Sequence, residues 1–105
     1  MYEIKRGFIM IDFYIRTHSG IQIVTGYKIN KSYCCHKDIC LARWTITDSK
    51  SGFAIQKGLK TGKECFEYVK NLSDDMIKAI EKERKTERYQ KACDDLEKWK
   101  ESNLW

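Results

Sequence analysis

The chain has no proline, only two histidines, and six glycines among 105 residues. No stretch approaches the roughly 18 consecutive apolar residues of a membrane-crossing helix. Each shortage excludes something. Without proline, no residue is an obvious breaker of a long helical segment. His18 falls in a turn and His36 among cysteines, and neither has a nucleophile and an orienting acid beside it in the sequence, so the roles of an acid–base or nucleophilic site are unfilled. The glycines form no nucleotide-binding loop. Gly58-Leu59-Lys60-Thr61-Gly62-Lys63-Glu64 has three residues between its glycines and Glu64 after the lysine, whereas a P-loop needs four and a Ser or Thr. The reading is therefore a non-enzymatic protein with no cofactor.

Charge is plentiful. Lysine and arginine total 20 against 15 acids, a net charge of +5. The excess sits in residues 1–52, with 8 basic and 4 acidic side chains, while residues 53–105 carry 12 and 11. A mild basic excess of this kind favours acidic partners such as nucleic acid or an acidic protein face. A length of 105 residues with 42% hydrophobic residues suits one domain around one core. The start, MYEIKRGFIMIDFYI, does not read as a signal sequence. With five cysteines, an odd number, the expectation is a cytoplasmic protein (of a host cell) with reduced thiols.

From Phe8 to Arg16 apolar residues alternate, with Ile9, Ile11, Phe13 and Ile15 on one face, which predicts a strand over 8–16. Thr17-His18-Ser19-Gly20 is a turn, and Ile21, Ile23, Tyr27 and Ile29 mark a strand over 21–30, so a hairpin is expected. Residues 31–34 either extend that strand or form a short one of their own. Cys40, Ala42, Trp44 and Ile46 alternate in a strand over 39–47, and Phe53 and Ile55 in a short one over 53–57. Thr61-Gly62-Lys63-Glu64 is a capping box that opens a helix over 62–72. Ser73-Asp74-Asp75 opens a second helix, which charge pairs such as Glu81–Lys85 and Glu87–Lys91 carry as far as 102. The fold class is α+β: an antiparallel sheet of about four strands followed by a short helix and a long C-terminal one, in a single domain with a sheet part over 1–58 and a helical part over 61–105.

Ser32-Tyr33-Cys34-Cys35-His36-Lys37-Asp38-Ile39-Cys40 is the densest cluster of metal-ligating residue types. Cys35, His36 and Cys40 make half of a zinc site, with no second pair to complete it, and there is no Cys-x-x-Cys for redox work. The plainer reading is a hairpin with its turn at His36-Lys37-Asp38, Cys40 in the core and Cys34 or Cys35 as a small buried filler. A zinc-stabilised structural module is the least favoured alternative. Arg6-Gly7-Phe8-Ile9-Met10-Ile11-Asp12-Phe13 partly matches the RNP1 strand of RNA-recognition motifs, but it lacks the middle aromatic and precedes every helix. What it leaves is a face with Phe8, Tyr14 and Arg16 able to stack bases.

The cations singled out for a partner or nucleic acid are Arg16, Lys28, Lys31, Lys37, Arg43, Lys57, Lys60 and Lys63, the last three in a loop that feeds a helix N-terminus. Tyr89 and Trp99, with Trp105 beyond, are expected contacts to a partner or to a second copy, a homodimer through the long helix.

Trp44-Thr45-Ile46-Thr47-Asp48, Ser51-Gly52-Phe53-Ala54-Ile55 and Gly58-Leu59-Lys60-Thr61-Gly62-Lys63-Glu64 together resemble small phage and mobile-element proteins of the anti-CRISPR or host-takeover type, over about residues 44–72. The resemblance implies an inhibitor that binds a nucleic-acid-processing complex such as a CRISPR–Cas effector, and it carries over no functional residues. The alternative is direct DNA or RNA binding through the basic strand face and the lysine loop.

Overall fold

The structure, a computed structural model, describes residues 9–38 and 40–102. Strands β1 (Ile9–Thr17), β2 (Gly20–Lys28), β3 (Tyr33–Asp38), β4 (Arg43–Asp48) and β5 (Ala54–Leu59) precede helices α1 (Gly62–Lys70), α2 (Asp74–Arg84) and α3 (Glu87–Ser102). The strands form one antiparallel sheet in the order of the chain. The α+β class holds, with five strands rather than four. The expected roles of Phe8 and Trp105 lie outside the described residues.

The extra strand is the cysteine-rich segment. His36 and Lys37 pair with Thr45 and Trp44 instead of turning. The turn falls after Asp38, whose backbone carbonyl accepts from Ala42 N at 2.8 Å and whose carboxylate accepts from Leu41 N at 3.0 Å. Ala42 takes a left-handed φ of 54° to close it, an unusual conformation for a residue with a Cβ. The strand expected from 39 therefore starts at Arg43, and Cys40, expected in the core, is exposed. Cys34 and Cys35 are both buried.

Residues opposite one another in a sheet share a face. One face carries Tyr27, Cys35, Ile46 and Trp44 and receives α1 through Cys65, Phe66 and Val69. The other face carries Phe13, Cys34, His36 and Thr47, all buried. It is buried because the β1–β2 hairpin folds across it. Only Tyr27–Cys35 and Lys28–Cys34 pair between β2 and β3. Beyond them the hairpin crosses the sheet, the Phe13 ring meets the His36 ring edge-on with centroids 5.9 Å apart, and Arg16 N donates to Gly52 O at 3.0 Å. The sheet is thus curled, with its first strand fastened to the turn before its last.

The crossing needs Gly26. A Cβ at this buried position would fall on the Cys35 carbonyl oxygen and lie 2.9 Å from the His36 Cβ. Both neighbours belong to strand backbone or its root, so neither can move aside cheaply.

The predicted caps are present: Thr61 Oγ1 accepts from Glu64 N at 3.1 Å, Glu64 Oε1 accepts from Lys60 N at 3.0 Å, and Ser73 Oγ accepts from Met76 N at 3.2 Å. The long helix expected over 74–102 is two helices. Thr86 interrupts it: its hydroxyl donates to Glu83 O at 2.7 Å and accepts from Tyr89 N at 3.1 Å, so it ends α2 and caps α3. The break lets both helices reach one residue. Asp48 accepts from Arg84 Nη2 at 2.9 Å and from the Tyr89 hydroxyl at 2.8 Å, and it also takes Ser51 N at 3.0 Å and Ser51 Oγ at 2.8 Å. Asp48 is only 2% exposed, and all four donors serve its carboxylate.

Two stability tests follow. Asp48→Ala strands a buried phenol, a buried serine and an arginine, and should cost about 3 kcal/mol in urea unfolding. Tyr89→Phe should cost about 1 kcal/mol, and nothing further once Asp48 is Ala; an additive double variant would refute the shared carboxylate. Gly26→Ala should cost about 3 kcal/mol, more than Gly20→Asn, where no atom stands within 4 Å of a new Cβ and only the positive φ of 110° opposes a side chain.

Candidate functional site

The register of β3, β4 and β5 gathers cations that are far apart in the chain. Lys37 faces Trp44, which faces Leu59, and Arg43 faces Asp38. Lys60 follows Leu59 directly, and Lys63 stands in the first turn of α1. Gly62 backs on the Trp44 ring, where a Cβ would lie 3.2 Å from it. Lys37, Arg43, Lys57, Lys60 and Lys63 therefore share one end of the sheet, and all five are exposed. Among the described residues the two salt bridges are Arg84–Asp48 and Arg88–Glu83, so none of the five is neutralised by a carboxylate contact. Asp38 and Glu64, the nearest acids in sequence, are occupied by the backbone N–H groups of Leu41 and Lys60.

The other three predicted cations lie elsewhere. Lys28 faces Cys34, at the far end of β3 from Lys37, and Lys31 lies in the β2–β3 connection beside Ser49, whose hydroxyl donates to its carbonyl at 3.1 Å. Arg16 is not a surface cation. Its Nε donates to Ser51 O at 2.8 Å and its Nη2 to Ala92 O at 2.7 Å, so it ties β1 to α3. Tyr89 is also turned inward, 6% exposed and bonded to Asp48, which leaves no ring face for a partner. Burial first, then the Asp48 carboxylate, push its phenol pKa up. Trp99 is half-buried and meets Tyr14 edge-on at 5.1 Å. The single rod on which a dimer was expected is two helices joined at Lys85–Thr86.

Cys35, His36 and Cys40, the half zinc site read from the sequence, are not brought together. Cys35 points to the α1 face and His36 to the opposite one, while Cys40 is exposed on the hairpin turn. Among the described residues no three His, Cys, Asp or Glu side chains are grouped to hold an ion. The Cys35 thiol instead meets Cys65, and that hydrogen bond, with burial, pushes the Cys35 pKa up. A thiol so held is not a nucleophile at neutral pH.

Beside the cationic end the curled sheet leaves a cleft of about 590 Å³. It runs between the tips of the β1–β2 and β3–β4 hairpins, with Ile15, His36, Leu41, Thr45 and Ala54 in its walls together with the charged Asp38, Arg43 and Lys57. His36 is 8% exposed, and its Nδ1 is buried without a hydrogen-bond partner. Burial lowers its pKa below the ordinary imidazole value near 6.5, with Asp38 pulling the other way. In the sequence His36 reads as a turn residue or half of a zinc site. Ile15 reads as part of the apolar face of the first strand and Thr45 as a strand residue; that both line a cleft depends on how far the hairpin crosses.

Compared with protein-family models, with curated proteins and with solved structures, the chain matches none of them. Among the described residues no helix is long and apolar enough to cross a membrane.

The histidine makes stability depend on pH. Its folded pKa is lowered, so the unfolded chain takes up a proton first as pH falls through about 6.5. The stability it confers is complete above that value and declines below it, toward the folded pKa. Melting temperature should therefore drop between pH 7.5 and 5.5, and His36→Gln should drop less over the same interval. Equal drops in the two proteins would show that another group titrates.

Proposed function

We propose that this protein is a non-enzymatic binding protein that engages a nucleic-acid-processing complex by laying the end carrying Lys37, Arg43, Lys57, Lys60 and Lys63 on a phosphate backbone. The observation that carries the reading is this convergence of five exposed cations, none with a carboxylate partner among the described residues, drawn from β3, β4, β5, the turn before α1 and the first turn of α1. Phosphate contacts supply affinity without sequence preference, and a group of exposed cations at one end of a sheet suits that role. The stretch from Trp44 to Leu72, which resembles small phage and mobile-element proteins, contributes three of the five, Lys57, Lys60 and Lys63. An inhibitor that occupies the nucleic-acid path of a larger machine, a CRISPR–Cas effector among them, would use such an end.

The test is binding of fluorescent single-stranded and duplex oligonucleotides across a salt series. Released counterions give a slope of log affinity against log salt of about −0.7 per phosphate for single strands. Lys37→Ala/Lys60→Ala/Lys63→Ala should flatten that slope by roughly 2, while Lys28→Ala/Lys31→Ala, at the other end of the sheet, should leave its larger part intact. No binding of any strand at 50 mM salt, or equal losses in the two variants, would remove the proposal. Co-purification with a nucleic-acid enzyme from host cells, lost in the triple variant, would support its second half.

A further inference from the structure

The cleft beside the cationic end is more than a gap in the sheet. His36 is a residue of the cleft wall, and its Nδ1 is buried without a hydrogen-bond partner, so the ring is not locked in place by a bond at that nitrogen. A neutral imidazole offers one donor and one acceptor, which suits the edge of a base better than a phosphate. Ile15, Leu41 and Ala54 supply apolar surface beside it, and Leu41 is 71% exposed on its hairpin tip. Arg43 and Lys57 stand where the cleft meets the cationic end. At about 590 Å³ the space is of the size of small-ligand sites. A duplex, with its bases stacked and paired, can meet only its margin, whereas the splayed bases of a single strand can enter.

We infer that the cleft is a subsite for one unstacked nucleotide of a single strand, its base between Ile15 and Leu41 toward His36 and its phosphate on Arg43 and Lys57. This rests on the nucleic-acid reading given above. It makes the cleft the place where the protein distinguishes single strands from duplex, a distinction the lysines alone do not provide.

Ala54 is exposed and lines the cleft, so Ala54→Phe fills the space without touching the five cations. The variant should bind six-nucleotide single strands at least tenfold more weakly than the parent protein, while duplex affinity changes less than twofold. In the unmodified protein, a saturating single strand should shift the imidazole NMR signals of His36, and this readout does not depend on the variant folding. If Ala54→Phe binds single strands as the parent does and the His36 signals stay still, the subsite is overturned and the cationic end stands alone. If the parent binds no oligonucleotide at low salt, the broader reading falls. Titration with uridine monophosphate then decides the cleft by itself: movement of the His36 signals retains it as a nucleotide site, and no movement removes it.

Discussion

One carboxylate holds the two halves of this protein together. Asp48 ends β4, and from there it fixes the following turn through Ser51, the end of α2 through Arg84 and the first turn of α3 through Tyr89. A buried charge is tolerated only when its hydrogen bonds are filled, and here two helices and a turn fill them. The Arg84 guanidinium also lies 5.4 Å from the Tyr33 ring, on the residue that pairs with Asp48 across the strands. The helices therefore dock on the sheet at a polar point, while α2 buries no residue of its own.

That anchoring has a bearing on the other end of the sheet. Because Asp48 is satisfied by Arg84 and Tyr89, and Arg16 by Ser51 and Ala92, the end of the sheet near the β4–β5 turn is committed to internal bonds. The opposite end, with Lys37, Arg43 and the Lys57–Lys63 segment, has no helix end tying up its charges. The division between an end bonded to the helices and an end of exposed cations follows from where the polar groups were spent on the protein itself.

Local patterns carried much of the architecture. Alternation identified β1, β2 and β4, and the capping signals at Thr61 and Ser73 began helices where expected. The misses were residues whose roles depend on distant partners. Arg16 reads as a surface cation because Ser51 and Ala92 are 35 and 76 positions away. Thr86 sits in an unbroken charged run, and only the pull of Asp48 on both Arg84 and Tyr89 explains why the chain bends there; a threonine three residues before the buried Tyr89 was the available signal. The β3 segment has neither β-branched residues nor clean alternation, so its neighbours decide it. Of the site, the Lys57–Lys63 run was visible in the sequence, but the approach of Lys37 and Arg43 required the register. The cleft required Gly26, whose missing side chain lets one hairpin lie over another strand.

The β1–β2 hairpin is held to the rest of the molecule by two residue pairs with β3 at its base and, at its far end, by Arg16, through its backbone bond to Gly52 and its side-chain bonds to Ser51 and Ala92. Between these points it rests on side chains alone. Segments fastened so sparsely open below the global unfolding free energy, as units. β3 and β4 pair along a continuous six-residue ladder, so exchange with solvent should divide the sheet at Gly26. The hairpin would then breathe as one flap, and its breathing would set how wide the cleft stands.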